Sequence, residues 1–281
     1  MKVLVGTASW SDKSLVQSKK FYPPDVKTPE GRLRHYATQF PVVEVDTSYY
    51  AIPLPETAQA WVDRTPAHFT LNIKAFRLFT GHATTAPVLP PDLRAALPVF
   101  DKPNFYWKQL PQELKTELWA GFKAAIEPLR ASGKLGMVHF QFAPWVLRNR
   151  DGHAHVRHCV EALQDYTVSV EFRNKTWFDE AHVGSTLAFE RELNVVHTVV
   201  DGPQGFSNSV PPVWESTHLQ YSLVRLHGRN AETLTMKPRR SPSLRRRSCC
   251  CVTPRPESMT GAFGSSCASG CMSLRSGALR L

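Results

Sequence analysis

Thr167-Val168-Ser169-Val170-Glu171-Phe172-Arg173 decides the fold. Its short β-branched run ends in an acid and a base that an apolar core would not select, and the two charges, two apart on an extended segment, face the same way. Six other runs share the design. Val3–Ala8, Val42–Val45, Phe69–Ile73, Leu135–Phe140, Val195–Val200 and Ser222–Leu226 carry or lead into Trp10, Glu44, Lys74, Gln141, Asp201 and His227. Near-continuous apolar runs mark strands buried on both faces, and polar groups at the strand ends mark the rim where parallel barrels keep their chemistry. The expected fold is therefore α/β, a TIM-barrel-like (β/α) barrel.

Spacing supports a repeat. Phe69 follows Val42 by 27 residues, Val195 follows Thr167 by 28, and Ser222 follows Val195 by 27, room for one strand, one helix and two short loops. Thr28-Pro29-Glu30 supplies an N-cap, a proline at the first helical position and an early acid ahead of Leu33, Tyr36 and Phe40. Pro55-Glu56 opens a second helix bearing Ala58 and Trp61, and Pro111 to Leu129 carries Leu114, Leu118, Phe122 and Ile126 at helical spacing. The stretch from Ala75 to Pro111, rich in proline and aromatics, reads as a rim loop.

Composition divides the chain near Glu232. Residues 1–232 hold 25 Lys and Arg against 23 acids, whereas residues 233–281 hold 9 against 1, so the basic excess belongs to the tail. Five of the six cysteines lie there as well, leaving Cys159 in the body. An eighth strand is due near position 249, and Arg245-Arg246-Arg247-Ser248-Cys249-Cys250-Cys251 stands in its place. The barrel is thus expected to lack a recognisable eighth strand because of an aberrant tail, with residues 1–232 as the barrel domain. A basic nucleic-acid arm lacks stacking aromatics other than Phe263, and a zinc site at Cys267 and Cys271 lacks histidine and a second spaced cysteine pair. The favoured reading is sequence translated in the wrong frame, disordered, leaving open strand edges beside the first and seventh strands.

The body bounds the class of protein. About 230 mixed residues suffice for one barrel. A single body cysteine fits a reducing cytoplasm. The opening apolar stretch is too short for a signal peptide, and no segment reaches membrane-spanning length. The near-neutral body gives no electrostatic reason to expect nucleic acid.

Several motifs in order carry a resemblance. Gly6-Thr7-Ala8-Ser9-Trp10 with Phe21-Tyr22-Pro23, Val43-Glu44-Val45-Asp46-Thr47-Ser48-Tyr49-Tyr50, Asn72-Ile73-Lys74-Ala75-Phe76, Gln141-Phe142-Ala143-Pro144, Val170-Glu171-Phe172-Arg173 with Trp177-Phe178, and Val224-Arg225-Leu226-His227-Gly228-Arg229 resemble the YecE-like family, domain of unknown function 72. The resemblance spans residues 3 to about 232. It implies a TIM-barrel-like fold and no particular reaction. Family members continue into a tyrosine-containing stretch and a last strand with a Phe-Asn-Asn motif, both absent here.

The candidate catalytic residues are Glu44, Lys74, Glu171 and His227, and the candidate ligand-binding residues are Trp10, Tyr49, Gln141, Arg173, Asp201 and Arg225. Each also has a structural reading. Glu44 with Lys74 could be an ion pair plugging the mouth, Arg173 could merely orient Glu171, His227 could bond a neighbouring strand, and Trp10, Tyr22, Tyr49 and Tyr50 could be core. Gathered at one rim, the charges would bind a small polar or anionic molecule, a sugar or phosphosugar, with carboxylates placed for acid and base roles in a hydrolase or isomerase. The alternatives are a noncatalytic metabolite-binding protein, which would use the same pocket, and an inactive truncated product. No metal ligands are assigned, since HExxH is absent, and no glycine-rich phosphate loop argues for NAD or ATP.

Overall fold

The computed structural model describes residues 2–205 and 209–227 and the backbone of residues 249–253. Ten strands occur among them: β1 (Leu4–Ala8), β2 (Val42–Val45), β3 (Thr70–Lys74), β4 (Thr84–Thr85), β5 (Asn104–Phe105), β6 (Leu135–Gln141), β7 (Val168–Glu171), β8 (Val196–Asp201), β9 (Ser222–Leu226) and β10 (Cys249–Thr253). The helices are α1 (Lys13–Gln17), α2 (Pro29–Gln39), α3 (Thr47–Tyr50), α4 (Pro55–Asp63), α5 (Pro91–Ala95), α6 (Gln112–Ala131), α7 (Arg150–Glu161) and α8 (Val183–Glu192). The protein is mixed α/β. Seven strands, the seven apolar runs of the sequence, form one parallel, curled sheet in the order β1-β2-β3-β6-β7-β8-β9.

The expected gap between the first and seventh strands is filled. The backbone of β10 pairs antiparallel with β9 on one side and β1 on the other, and the sheet closes. Ladder hydrogen bonds use only backbone groups, so two open edges can accept a segment whose side chains no barrel pattern would have picked out. Antiparallel entry also removes the need for a crossover helix, which a parallel eighth strand would have required. The rest of the tail reading lies outside the described residues.

Local signals place the helices where the repeat needs them. Thr28 Oγ1 accepts the Gly31 N–H at 3.0 Å and Pro29 opens α2. Asn149 Oδ1 does the same for Gly152 at 2.8 Å at the start of α7, a helix that apolar periodicity had not singled out. Leu33 and Tyr36 of α2, Trp61 of α4, and Leu118, Phe122 and Ile126 of α6 pack on Val43, Val45, Leu71, Ile73, Val138 and Phe140 of the strands. The stretch 75–111 joins that core instead of forming an open loop. Phe76, Phe79, Leu89, Phe105 and Trp107 are buried, and Phe79 stacks on Trp119 at 3.8 Å between ring centres. The apolar area of these aromatics is removed from water beneath α6.

The strands are not apolar on both faces. Val42, Met137, Val196 and Leu223 form a separate small cluster, and because β2, β6, β8 and β9 are not all neighbours it occupies the sheet interior. Two residues further along, the side chains on that face are Glu44, His139, Thr198 and Arg225, all buried. The interior is thus an apolar layer at the strands' N-terminal ends overlaid by a polar one. Close approach governs this region, since a Cβ on Gly6 would lie 2.0 Å from the Val42 carbonyl oxygen, and one on Gly136 would lie 2.2 Å from Asn72 Oδ1.

Candidate functional site

Arg225 sits at the centre of the polar layer. Its Nη2 donates to Glu44 Oε1 at 2.8 Å and its Nη1 to Glu171 Oε2 at 2.5 Å. β9 is adjacent to neither β2 nor β7, so the three side chains meet across the interior. Glu171 Oε1 accepts from Gln141 Nε2 at 2.7 Å and from Arg173 Nη1 at 2.8 Å. His139 Nε2 stands 3.3 Å from Glu171 Oε2, and its Nδ1 lies 2.9 Å from Ser169 Oγ. Dehydrating such charges costs several kcal/mol each, which only close pairing and full hydrogen bonding offset. Here the pairing is close on every side of Glu171.

The protonation states follow from the same contacts. Burial by itself would raise both carboxyls, but Arg225, His139 and Lys74 outweigh it at Glu44 and hold it at about 2, even against the repulsion of Glu171. At Glu171 burial is likewise outweighed, by Arg225, the His139 hydrogen bond and Arg173, and the carboxyl lies well below the ordinary range. Two carboxylates locked on one guanidinium are permanent anions at neutral pH.

Nearer the mouth the balance changes. Lys74 Nζ lies 3.2 Å from Asp46 Oδ1 and 4.9 Å from the centre of the Tyr49 ring. Asp46 is pushed up, by burial first, with Glu44 adding to it and Lys74 opposing. Asp46 side-chain exposure is 35%, against 1% for Glu44, so this acid is the one that both resists ionisation and meets solvent. Asp46 was not among the expected site residues, nor were His139 and Ser169. All three lie two residues from an expected one on the same strand face or its direct continuation, so alternation was the signal that could have found them.

The remaining expected residues are distributed unevenly. Glu44, Glu171, Arg173, Gln141 and Arg225 share one network, with Lys74 and Tyr49 beside it. Asp201 and His227 are joined at the ends of β8 and β9, the His227 N–H donating to the Asp201 carbonyl at 2.8 Å. Trp10 is buried edge-on against Trp61 at 5.9 Å, and its carbonyl accepts the Tyr22 hydroxyl, so it belongs to the wall of the core. Among the described residues no group of three or more His, Cys, Asp or Glu could hold a metal ion, and no helix is long and apolar enough to cross a membrane.

These features define a mixed α/β protein whose curled parallel sheet encloses a charged lattice towards the strands' C-terminal ends. The chain belongs to the DUF72 family, a protein family of unknown function whose pattern matches residues 4–247. That match runs past Glu232, where the composition changes, and takes in the arginine-rich stretch. The chain is similar to the UPF0759 protein YunF of Bacillus subtilis, 32% identical over 236 residues that cover 84% of this chain and 73% of that protein. Among solved structures it is similar to a DUF72 family protein of Enterococcus faecalis, with a TM-score of 0.64 and 25% identity over 84% of this chain and 74% of the other. A DUF72 family protein of Thermotoga maritima has a TM-score of 0.61 at 23% identity, covering 83% and 76% of the two chains, a likeness of fold alone.

Proposed function

We propose that this DUF72 protein is a TIM-barrel-like protein, with β10 standing in for the eighth strand, that binds a small anionic metabolite of the sugar or phosphosugar class at the mouth. Lys74 and Asp46 carry proton chemistry of the hydrolase or isomerase type. The supporting observation is the contrast in ionisation between Asp46 and the two buried glutamates. Glu44 and Glu171, with Arg225, act as an electrostatic frame, because a carboxyl held at about 2 gives a general acid nothing to donate at neutral pH. Arg173, Gln141 and Tyr49 line the ligand's approach, and His227 with Asp201 completes the far side. Nucleic acid and membrane are not the partners in this reading.

The complete pairing of Glu44 and Glu171 favours a second reading, a noncatalytic metabolite-binding protein. A metabolite library screened by thermal shift, followed by Asp46→Asn, separates the two. Ligand binding to the native state raises the melting temperature. On the first reading Asp46→Asn keeps the shift and loses turnover by about a hundredfold or more, the scale of general acid–base catalysis. A ligand that is never turned over by the intact protein establishes the second reading, and a library with no anionic or sugar ligand, or one whose shift survives Lys74→Ala, defeats both.

A further inference from the structure

Beside the lattice, where the segments following β2, β3 and β6 meet, lies a group of side chains with a different character. Arg77 places its guanidinium carbon 5.5 Å from the centre of the Tyr49 ring, on which Lys74 also rests. Tyr49 meets His82 edge-on at 5.4 Å, and His82 meets Trp145 edge-on at 5.4 Å. Trp145 is exposed, and its indole N–H is anchored on the Gly81 carbonyl at 2.8 Å. The order of the group is therefore cations, phenol, imidazole, indole, running from half-buried to open.

Counter-charge is distributed unequally along it. Lys74 has Asp46 and Arg173 has Glu171, but among the described residues no ion pair involves Arg77, and its buried Nε has no hydrogen-bond partner. A half-buried guanidinium without an anion is unfavourable until one arrives. His82 does not add to the positive charge. Burial, then Arg77, Lys74 and Arg173, push it down to about 4, so it is neutral at physiological pH. Its tautomer follows from the hydrogen-bond network. The Thr80 hydroxyl lies 2.9 Å from both the Arg77 carbonyl and His82 Nδ1; with its one hydrogen on the carbonyl, His82 Nδ1 is the donor to Thr80 Oγ1 and Nε2 an acceptor. A neutral acceptor suits a ligand hydroxyl, and an open indole face suits the apolar face of a sugar ring.

We propose that Arg77, His82, Tyr49 and Trp145 form the recognition subsite for a sugar phosphate: Arg77 with Lys74 takes the phosphate, His82 accepts a ring hydroxyl, and Trp145 stacks on the ring. This rests on the mouth-binding reading above and commits it to a phosphorylated ligand held by Lys74 at the end of β3 together with residues outside the sheet's strand ends. Nucleotide phosphates share the anion but present a base instead of a hydroxylated ring.

The test titrates the full chain by calorimetry with hexose and pentose phosphates, the matching free sugars, a mononucleotide and inorganic phosphate. The intact protein is expected to bind at least one sugar phosphate about tenfold or more tightly than inorganic phosphate or the free sugar. Arg77→Gln weakens sugar phosphate and inorganic phosphate together by about tenfold or more, the loss of a charged hydrogen bond. Trp145→Ala lowers only the sugar phosphate, by about three- to tenfold, the scale of ring stacking. Arg77→Lys, which retains the charge, serves if the Gln variant fails to fold, and should keep phosphate binding at reduced strength. Sugar-phosphate affinity indifferent to Arg77 and Trp145 but abolished by Lys74→Ala would sink the subsite and leave the mouth reading standing. A stronger preference for the mononucleotide, or a mouth ligand without phosphate, overturns the inference likewise.

Discussion

Two charged regions lie a few residues apart in this molecule and obey opposite rules. In the interior, Glu44, Arg225 and Glu171 come from three non-adjacent strands, all are buried, and each carboxylate has a guanidinium nitrogen within 2.8 Å. At the rim, Arg77 and Arg173 have partial access to water and lie with the buried Lys74 among fewer acids. The difference teaches that charge density alone does not mark a site. A dehydrated charge left unpaired destabilises the fold by several kcal/mol, whereas a charge at the water boundary can be left short of partners at lower cost and so retain capacity for a ligand.

The comparison breaks most readily at Arg225. Arg225→Ala strands two buried carboxylates, and its unfolding free energy in a urea titration should fall by about 3–5 kcal/mol, the usual cost of removing one partner of a buried pair. A loss below about 1 kcal/mol, the scale of an exposed pair, would mean the lattice is not what holds the interior.

Acid should act next. Between pH 6.5 and about 4 the unfolded chain binds protons at His82 and His155 that the folded chain refuses, so stability declines over that window as pH falls. Below 4.5 the same holds for Glu44, whose folded value of about 2 delays its protonation, and Glu171 acts in the same direction. Asp46 and His197, raised in the folded state, oppose the trend. Urea midpoints measured from pH 7 to 3 should therefore decrease, and Glu44→Gln should flatten the lower part of the curve. Midpoints that rise towards pH 3 would contradict the assigned directions.

The smallest effect sharpens the contrast. Arg77→Gln should cost no more than about 1 kcal/mol, the worth of a partly exposed cation on an aromatic ring. Trp145→Ala should stay within about 0.5 kcal/mol, as exposed substitutions usually do. Thermal melts check both, and a rim variant as damaging as Arg225→Ala would erase the distinction.

Much of the architecture was legible residue by residue. The Thr28-Pro29 cap, Pro55-Glu56 and the α6 periodicity are local signals, and local backbone chemistry decides them. The shared face of Glu171 and Arg173 was legible for the same reason. The interior was misread because Val-Glu-Val and Asn-Ile-Lys were counted as apolar runs with charged ends, when alternation places Glu44 and Asn72 inside. Trp10 looked like a rim aromatic, and only Trp61, 51 residues further along the chain, makes it core. Asp46 could have been found from its position two residues beyond Glu44, on the continuation of the same strand face.

The seven strands, their parallel repeat and the family follow from residue order alone, because these depend on periodicity and on ordered local motifs. Arg225 joining Glu44 and Glu171, the partial exposure of Asp46 above the buried Glu44, and the meeting of Cys249–Thr253 with both β1 and β9 are instead settled by the folded arrangement. Each depends on which chain-distant groups share a dehydrated space or an open ladder edge. Coulombic attraction, desolvation and backbone pairing act through distance in space, and sequence order carries no measure of it.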